Sequence, residues 1–206
     1  MTKIGLSLAC ILLCGAAPCL AQAVPAAKTL ELSKVILDTE SGAIKGKLRG
    51  GTLCISNGPI DGKFNKQKRT QDYERYDTLF SEKVKAAGFN VYAPSHDMFG
   101  QDADKSRGDY LVGATMRLDT LNLCDSVKGQ KGDVTLVIEW QIYDRAAQKV
   151  VETITTQGAG EQVLFSNTGL TDMWNKAFQT NLVALIDRGV IQKYVGAPTP
   201  AAKPKS

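Results

Sequence analysis

The chain has 206 residues, a length that fits one domain and excludes a multi-domain enzyme. Hydrophobic residues make up 43% of it and charged residues 22%, which is typical of a globular protein and excludes wholesale disorder. The formal net charge of +4 is far below that of a concentrated basic surface, so we expect no nucleic-acid partner.

The first 23 residues are typical of a secretory signal peptide. Lys3 precedes an apolar run over residues 4–13, and residues 21–23 (Ala-Gln-Ala) have the small-x-small pattern that signal peptidase recognises. We therefore expect cleavage after Ala23 and a location in the periplasm or at the outer membrane. A membrane anchor is one alternative, although spanning a bilayer needs about 20 apolar residues and this run is interrupted. Lipid attachment at a leader cysteine is another, although the residues before each cysteine fit that pathway poorly.

Two of the five cysteines remain after this cleavage, Cys54 and Cys124. An even pair in an oxidising compartment favours a disulfide, and both residues lie in segments predicted to be extended. Such a bond would stabilise the fold by about 4 kcal/mol through the entropy of the unfolded chain. Its role would be structural, since the sequence has no C-x-x-C motif. Two buried free thiols are the alternative.

The start of the mature chain is predicted to contain a lead-in and one strand. Residues 24–49 form the lead-in, and their later part has the mixed pattern of two short strands. Residues 51–56 are a β-prone run between a Gly-Gly pair and an Asn-Gly-Pro turn, which predicts a short buried strand. The folded domain is therefore expected over residues 50–196.

A polar, basic stretch over residues 61–71 is predicted to be an exposed loop. Its cations are candidates for contact with an anionic surface, such as lipid headgroups or a cell-wall polymer. These candidates are Lys63, Lys66, Lys68 and Arg69. A solvated loop without a partner is the alternative.

The next segments predict a helix and a strand. Apolar residues at spacings of three and four indicate a helix over residues 70–87, which Gly88 ends. Residues 89–92 follow as a strand. Residues 95–107 are a polar connection.

The second half of the domain predicts an antiparallel meander and a closing helix. The three strands of the meander are predicted at residues 109–124, 133–144 and 149–156. A glycine-rich loop is expected over residues 157–169. An apolar stripe then predicts a helix from about residue 170 to a break near Gly189, followed by a last turn.

This element order predicts a single α/β (α+β) domain with a mixed sheet. The strand-helix-strand unit forms a right-handed parallel crossover, the meander is antiparallel, and the helices cover one face. Residues 197–206, rich in Pro, Ala and Lys, are predicted to be a disordered tail.

No set of residues in the sequence predicts a catalytic, cofactor or metal site. His96 is the sole histidine and lies between Ser95 and Asp97, but sequence neighbours do not converge as the groups of a catalytic triad must. One histidine and two cysteines are too few for a tetrahedral metal site. A small hydrolase that uses Ser95 or Ser56 with His96 is the enzymatic alternative.

Three short motifs resemble those of a group of bacterial envelope proteins. They are residues 88–91 (Gly-Phe-Asn-Val), residues 109–113 (Asp-Tyr-Leu-Val-Gly) and the hairpin return over residues 144–151. Their order over residues 50–194 is similar to that in the curli-secretion CsgG-like family, the penicillin-binding-protein activator LpoB, and the YajG-like and TolB amino-terminal domains. The chain departs from curli-type members at residues 56–58, where Ser-Asn-Gly replaces their Phe-Asp motif, and it has no membrane-inserting hairpin, so no pore is expected. The resemblance implies a periplasmic or outer-envelope domain that binds other proteins.

Together these features predict an exported, non-enzymatic accessory or adaptor domain that binds other envelope proteins, in support of secretion, surface assembly or cell-wall synthesis. Homo-oligomers and peripheral contact with a membrane or the cell wall are compatible with this role. A carrier of a small apolar ligand, held between sheet and helices, is the main alternative, and the hydrolase is the other.

Overall fold

The computed structural model describes residues 28–38, 44–60, 68–70, 73–92 and 108–198. Seven strands and three helices form within these ranges. In chain order they are β1 (Leu30–Asp38), β2 (Lys45–Gly50), β3 (Ile55–Pro59), β4 (Lys68–Thr70), α1 (Tyr73–Ala86), β5 (Tyr110–Ser126), β6 (Gly129–Asp144), β7 (Lys149–Ser166), α2 (Gly169–Asp187) and α3 (Val190–Val195). The predicted single α/β domain with a mixed sheet is confirmed. The predicted signal peptide, and the predicted tail from residue 199 onward, lie outside the described residues.

All seven strands belong to one sheet organised around β5. One edge of β5 pairs in parallel first with β1 and then with β2, so β1 and β2 lie end to end. The other edge pairs antiparallel with β6, and β6 pairs antiparallel with β7. β4 extends the sheet beyond β1, and β3 extends it beyond β2. β7 is therefore an edge strand of the described sheet.

The core lies between one face of this sheet and the helices. On β5 and β6 every second side chain is buried, as a sheet covered on one side requires. The rings of Tyr76 from α1 and Trp140 from β6 lie 4.8 Å and 5.6 Å from the ring of Phe178 on α2. Such tilted aromatic pairs contribute about 0.5–1.5 kcal/mol each beyond their burial. The predicted packing of the helices on one face is confirmed.

A buried chain of hydrogen bonds ties α2 to the sheet. Trp140 Nε1 donates to Thr156 Oγ1 at 2.8 Å, and Thr156 Oγ1 donates to Asn181 Oδ1 at 2.6 Å. Asn181 Nδ2 in turn donates to the main-chain oxygens of Leu136 and Ala177. Because buried polar groups cost free energy when unpaired, this chain fixes how α2 sits on β6 and β7.

The predicted glycine-rich loop over residues 157–169 is wrong, because β7 continues to Ser166 and α2 begins at Gly169. The glycines serve close packing. A Cβ on Gly160 would lie 2.0 Å from the main-chain oxygen of Met173, and a Cβ on Gly158 would lie 2.7 Å from the main-chain nitrogen of Asn181. Glycine in a strand often marks such an approach of backbone to backbone, and here it lets α2 lie directly on the strand.

The N-terminal half differs most from the prediction. The two short strands that the later part of the lead-in over residues 24–49 suggests correspond to β1 and β2, but β1 already starts at Leu30 and is a buried inner strand. The predicted strand over residues 51–56 is mainly a turn, with β3 starting at Ile55. The predicted strand over residues 89–92 reduces to one bridge to β1. The expected parallel strand-helix-strand unit is present, but its two strands are β1 and β5.

Candidate binding surfaces

The disulfide between Cys54 and Cys124 is present in the structure, with a Cα–Cα distance of 5.4 Å. Cys124 lies on β5 as expected, whereas Cys54 lies in the turn between β2 and β3 and has a positive φ of 51°. In the same turn the main-chain nitrogen of Gly51 donates to the oxygen of Asp125 at 2.9 Å. The disulfide and this hydrogen bond together fasten the turn to the end of β5.

Two turns and the end of β7 meet at this end of the sheet, and we call residues 51–55, 126–129 and 163–167 the distal end. The disulfide joins the first to β5. The second contacts the third, since a Cβ on Gly129 would lie 2.5 Å from the main-chain oxygen of Ser166. Five of the seven large apolar side chains that are exposed among the described residues lie at the distal end: Leu53, Ile55, Val127, Val163 and Leu164.

An open groove of about 510 Å³ lies beside the distal end. Leu53 and Val163 contribute apolar walls, while Lys131 and the hydrogen-bonded pair of Asn122 and Asp133 make its lining polar. This groove is not the deep apolar cavity that the carrier alternative requires. Its mixed lining suits contact with a larger surface better than enclosure of an apolar molecule.

The side of β5, β6 and β7 that faces away from the helices is a second broad surface, which we call the helix-free face. At the centre of this face, residues paired across β5, β6 and β7 form three rows that run across the strands. The central rows are Gly113, Gln141 and Thr153; Thr115, Glu139 and Thr155; and Arg117, Val137 and Gln157. The β5 and β6 side chains in these rows are mostly half-buried and the β7 side chains are exposed. Threonine and glutamine dominate, with few charges, so the face is polar without a strong field.

Side chains of α2 and α3 cap the carbonyl groups of β7. The donor and acceptor pairs are Lys176 Nζ to Glu161 O at 2.8 Å, Thr180 Oγ1 to Ala159 O at 3.0 Å, Arg188 Nη1 to Thr155 O at 2.7 Å, and Tyr194 OH to Val151 O at 3.1 Å. An uncapped edge strand is a template for pairing with another chain. These four bonds therefore reduce the capacity of β7 to pair edge to edge between residues 151 and 161.

A polar cluster at the opposite end of the sheet has a structural role. Arg145 Nη2 lies 3.3 Å from Glu31 Oε2, which also accepts a hydrogen bond from the main-chain nitrogen of Gly108 at 3.0 Å. Lys28 Nζ donates to Tyr110 OH at 2.9 Å, and this bond raises the pKa of Lys28 above its ordinary value. These contacts bind the start of β1 to β5 and to the turn after β6, and they keep the charges engaged with each other.

The predicted basic surface lies only partly within the described residues. Lys68 and Arg69 are on β4, the short strand beside β1, whereas Lys63 and Lys66 lie outside the described ranges. Contact of these four side chains with an anionic surface stays a prediction.

Of the residues of the hydrolase alternative, Ser56 is exposed on β3, and Ser95 and His96 lie outside the described ranges. Within the part of the chain that the structure describes, no group of three or more His, Cys, Asp or Glu side chains is placed to hold a metal ion. None of the three described helices is both long and apolar enough to span a bilayer.

No family model matches the chain, and no curated protein is similar to it. Among solved structures, a Xanthomonas campestris protein of the DUF330 family is 11% identical, with a TM-score of 0.41 over 82% of this chain and 90% of that one. A minor lipoprotein from Acinetobacter baumannii is 15% identical, with a TM-score of 0.38 over 84% and 98%. The PelC dodecamer from Paraburkholderia phytofirmans is 13% identical, with a TM-score of 0.35 over 78% and 89%. These similarities are too low to assign a family or a function.

Proposed function

We propose that the chain is an exported, non-enzymatic accessory or adaptor domain of the bacterial envelope, which binds another envelope protein through its helix-free face. The observation that carries the proposal is the asymmetry of the sheet. One face is covered by the helices, the β7 edge is capped by their side chains, and no described segment of the chain covers the helix-free face. The open face therefore offers the broadest surface for recognition.

The size of the helix-free face fits a protein partner. β5, β6 and β7 have 17, 16 and 18 residues, and at about 3.3 Å per residue each extends roughly 55 Å. These three strands, spaced about 4.8 Å apart, then give a face of roughly 800 Å². A standard protein-protein interface buries about 800 Å² on each partner, so a single partner can be accommodated.

The chemistry of the face also fits a non-obligate interface. Val137 contributes apolar surface at its centre and Leu111 with Tyr143 contributes it at one end, among threonine and glutamine side chains. Interfaces of this kind are about as apolar as the rest of a protein surface, with few charges at their centre. Hydrogen bonds to hydroxyl and amide groups would give such a contact its specificity.

Export is supported by the cysteine pair and the leader. A disulfide persists in the periplasm or outside the cell and is rare in the cytosol, and Cys54 and Cys124 are bonded. Residues 1–23 have the pattern of a signal peptide. We therefore propose the periplasm or the periplasmic side of the outer membrane as the site of action.

Site-specific photocrosslinking in the source bacterium tests the protein-binding role. A photoreactive residue replaces Gln141, which is exposed on the helix-free face, and in a matched control it replaces Val183, which is 42% exposed on α2. We expect a discrete adduct with an envelope protein from position 141 and none from position 183, read by gel shift and mass spectrometry. No adduct from position 141, equal adducts from both positions, or an adduct only with a second copy of the chain would contradict the proposal.

A further inference from the structure

The distal end exposes more apolar surface than an isolated hydrophobic residue on a turn would. Leu53 and Val127, which are 84% and 99% exposed, lie in two different turns, and Leu164, which is 75% exposed, lies near the end of β7. Single exposed apolar side chains are ordinary on protein surfaces, but a group at one end of a sheet marks a contact site.

These apolar side chains are carried on two fixed turns and on the end of β7. The disulfide and the hydrogen bond from Gly51 to Asp125 hold the first turn on β5. Gly129, with a positive φ of 102°, brings the turn between β5 and β6 against the main chain of Ser166 at the end of β7. Fixed turns lose little conformational entropy on binding, so their apolar surface is available for a contact.

The cations of the distal region lie beside the exposed apolar side chains. Lys128 is next to Val127 in the turn between β5 and β6. Arg49 and Lys131 both pair in register with Cys124. Cys124 and Lys131 form the third residue pair of β5 and β6 counted from that turn. Arg49 and Lys128 are exposed, and Lys131 is half-buried with its ammonium 4.5 Å from the ring centre of Phe165. Three positively charged side chains therefore lie at or within three residue pairs of the turn between β5 and β6.

Near the turn the carboxylates are fewer than the cations, and two other carboxylates, Asp133 and Asp172, already accept hydrogen bonds. Asp125 belongs to the second residue pair from the turn. Asp133 and Glu161 pair with each other across β6 and β7, two residue pairs farther from the turn than Arg49 and Lys131. Asp172, in the first turn of α2, accepts a hydrogen bond from Thr168 Oγ1 at 2.8 Å and faces the positive end of the helix dipole. Counted from the turn, Val127 and Lys128 come first, Ile55 and Asp125 lie at the second residue pair, and Arg49, Lys131 and Leu164 lie at the third. This end therefore carries a net positive charge, and Asp133 with Glu161 lies farther from the turn.

We infer that the distal end is a lipid-contact site that rests on a bilayer surface rich in anionic phospholipids. Leu53 and Val127 enter the boundary between headgroups and acyl chains, with Leu164 beside them, while Lys128, Lys131 and Arg49 meet the phosphates. The excess of positive charge beside these apolar side chains fits an anionic bilayer surface, whereas an apolar pocket on a protein partner would leave the cations without counter-charges. The inference goes beyond the proposed adaptor role, because it uses the distal end and leaves the central rows of the helix-free face free.

Vesicle sedimentation with the processed, full exported protein, its mass verified, tests the inference. One set of vesicles contains phosphatidylglycerol with phosphatidylethanolamine, and the other contains phosphatidylcholine alone. We expect binding to the anionic vesicles at least about tenfold tighter than to the neutral ones, from three cations that each contribute several-fold. Raising the salt concentration to about 0.5 M should remove most of this difference, because the charges are exposed.

Variants locate the contact on the protein. Leu53→Ser combined with Val127→Ser should weaken binding to anionic vesicles about tenfold or more, and Lys128→Ala should weaken it about fivefold. Val150→Ser, which removes a 49% exposed apolar side chain at the other end of β7, is the matched control and should bind like the parent protein. Thermal unfolding verifies that each variant is folded.

Three outcomes would overturn the inference: no binding to anionic vesicles, binding that the distal substitutions leave unchanged, or capture of an envelope protein by the distal end without lipid. None of them alters the crosslinking result expected at Gln141, so failure of the lipid contact and failure of the adaptor role are distinguishable.

Discussion

Replacing Thr156 by valine tests whether the buried hydrogen bonds, and not apolar packing alone, fix α2 on the sheet. Thr156 is 1% exposed, and its hydroxyl lies between two groups that are themselves fully buried, Trp140 Nε1 and Asn181 Oδ1. Valine has nearly the same shape as threonine, so Thr156→Val removes both hydrogen bonds while leaving the packing almost unchanged.

The expected cost follows from the two groups left behind. Trp140 Nε1 loses the acceptor at 2.8 Å, and Asn181 Oδ1 loses the donor at 2.6 Å, both away from water. An unsatisfied buried polar group costs about 1–3 kcal/mol, so the two groups together should lower the free energy of unfolding of Thr156→Val by about 2–6 kcal/mol. That is a large part of the 5–15 kcal/mol typical of a domain.

Urea unfolding, followed by circular dichroism, measures this cost. Thr156→Ser is the matched control because it keeps the hydroxyl and loses one methyl group, and it should cost only about 1 kcal/mol. A double-mutant cycle with Trp140→Phe should recover at least about 1 kcal/mol, since that change removes one of the two stranded groups. A loss below about 0.5 kcal/mol for Thr156→Val, or an equal loss for Thr156→Ser, would refute the reasoning.

Three further predictions follow from the same structure. Replacing Cys54 and Cys124 by serine should lower the free energy of unfolding by about 4 kcal/mol, because the disulfide spans 70 residues of sequence; a loss below about 1 kcal/mol in urea titrations contradicts this. Gly160→Ala should cost about 2 kcal/mol or more, since its Cβ would lie 2.0 Å from a main-chain oxygen of α2, and an unchanged melting temperature would show that the contact is not close. The hydrogen bond from Lys193 lowers the pKa of Glu152 below its ordinary value of 4.5, so the stability that this carboxylate contributes is complete above that pH and is lost as the pH falls through the lowered pKa. Glu152→Gln should therefore flatten the acid side of the melting-temperature profile, and an unchanged slope would mean that the pair adds no stability.

Strands in which buried and exposed side chains alternate without interruption were predictable from the sequence. On β6 the residues from Val134 to Ile142 are buried at every second position, and the predicted strand at 133–144 reflects that pattern. The first half of β1 and its place in the core were missed because a register shift between Leu32 and Lys34 breaks the alternation, so the segment lacks a period of two over its full length. Its burial depends on pairing with β5 about 80 residues later, which no local pattern records.

The distal end could not be predicted for a related reason. A short apolar run such as residues 53–55 (Leu-Cys-Ile) is typical of a buried strand, and its composition alone does not distinguish a strand from an exposed turn. Here the disulfide and the positive φ of Cys54 keep the run at the surface. The pairing of Cys54 with Cys124 was predictable from the cysteine count, but the exposure of Leu53 follows only from the turn that the pairing holds.

The capping of β7 shows what a sequence can encode beyond hydrophobic periodicity. From Lys176 to Arg188 the helix α2 advances about 18 Å at 1.5 Å per residue, and from Glu161 back to Thr155 the strand covers about 20 Å at 3.3 Å per residue. The two lengths match because α2 runs antiparallel beside β7, and Gly160 lets their backbones come close enough for short side chains such as Thr180 to reach a carbonyl oxygen. The glycines that gave β7 the sequence pattern of a loop are therefore what allows α2 to cap its edge, and this capping is one of the features on which the proposed use of the helix-free face rests.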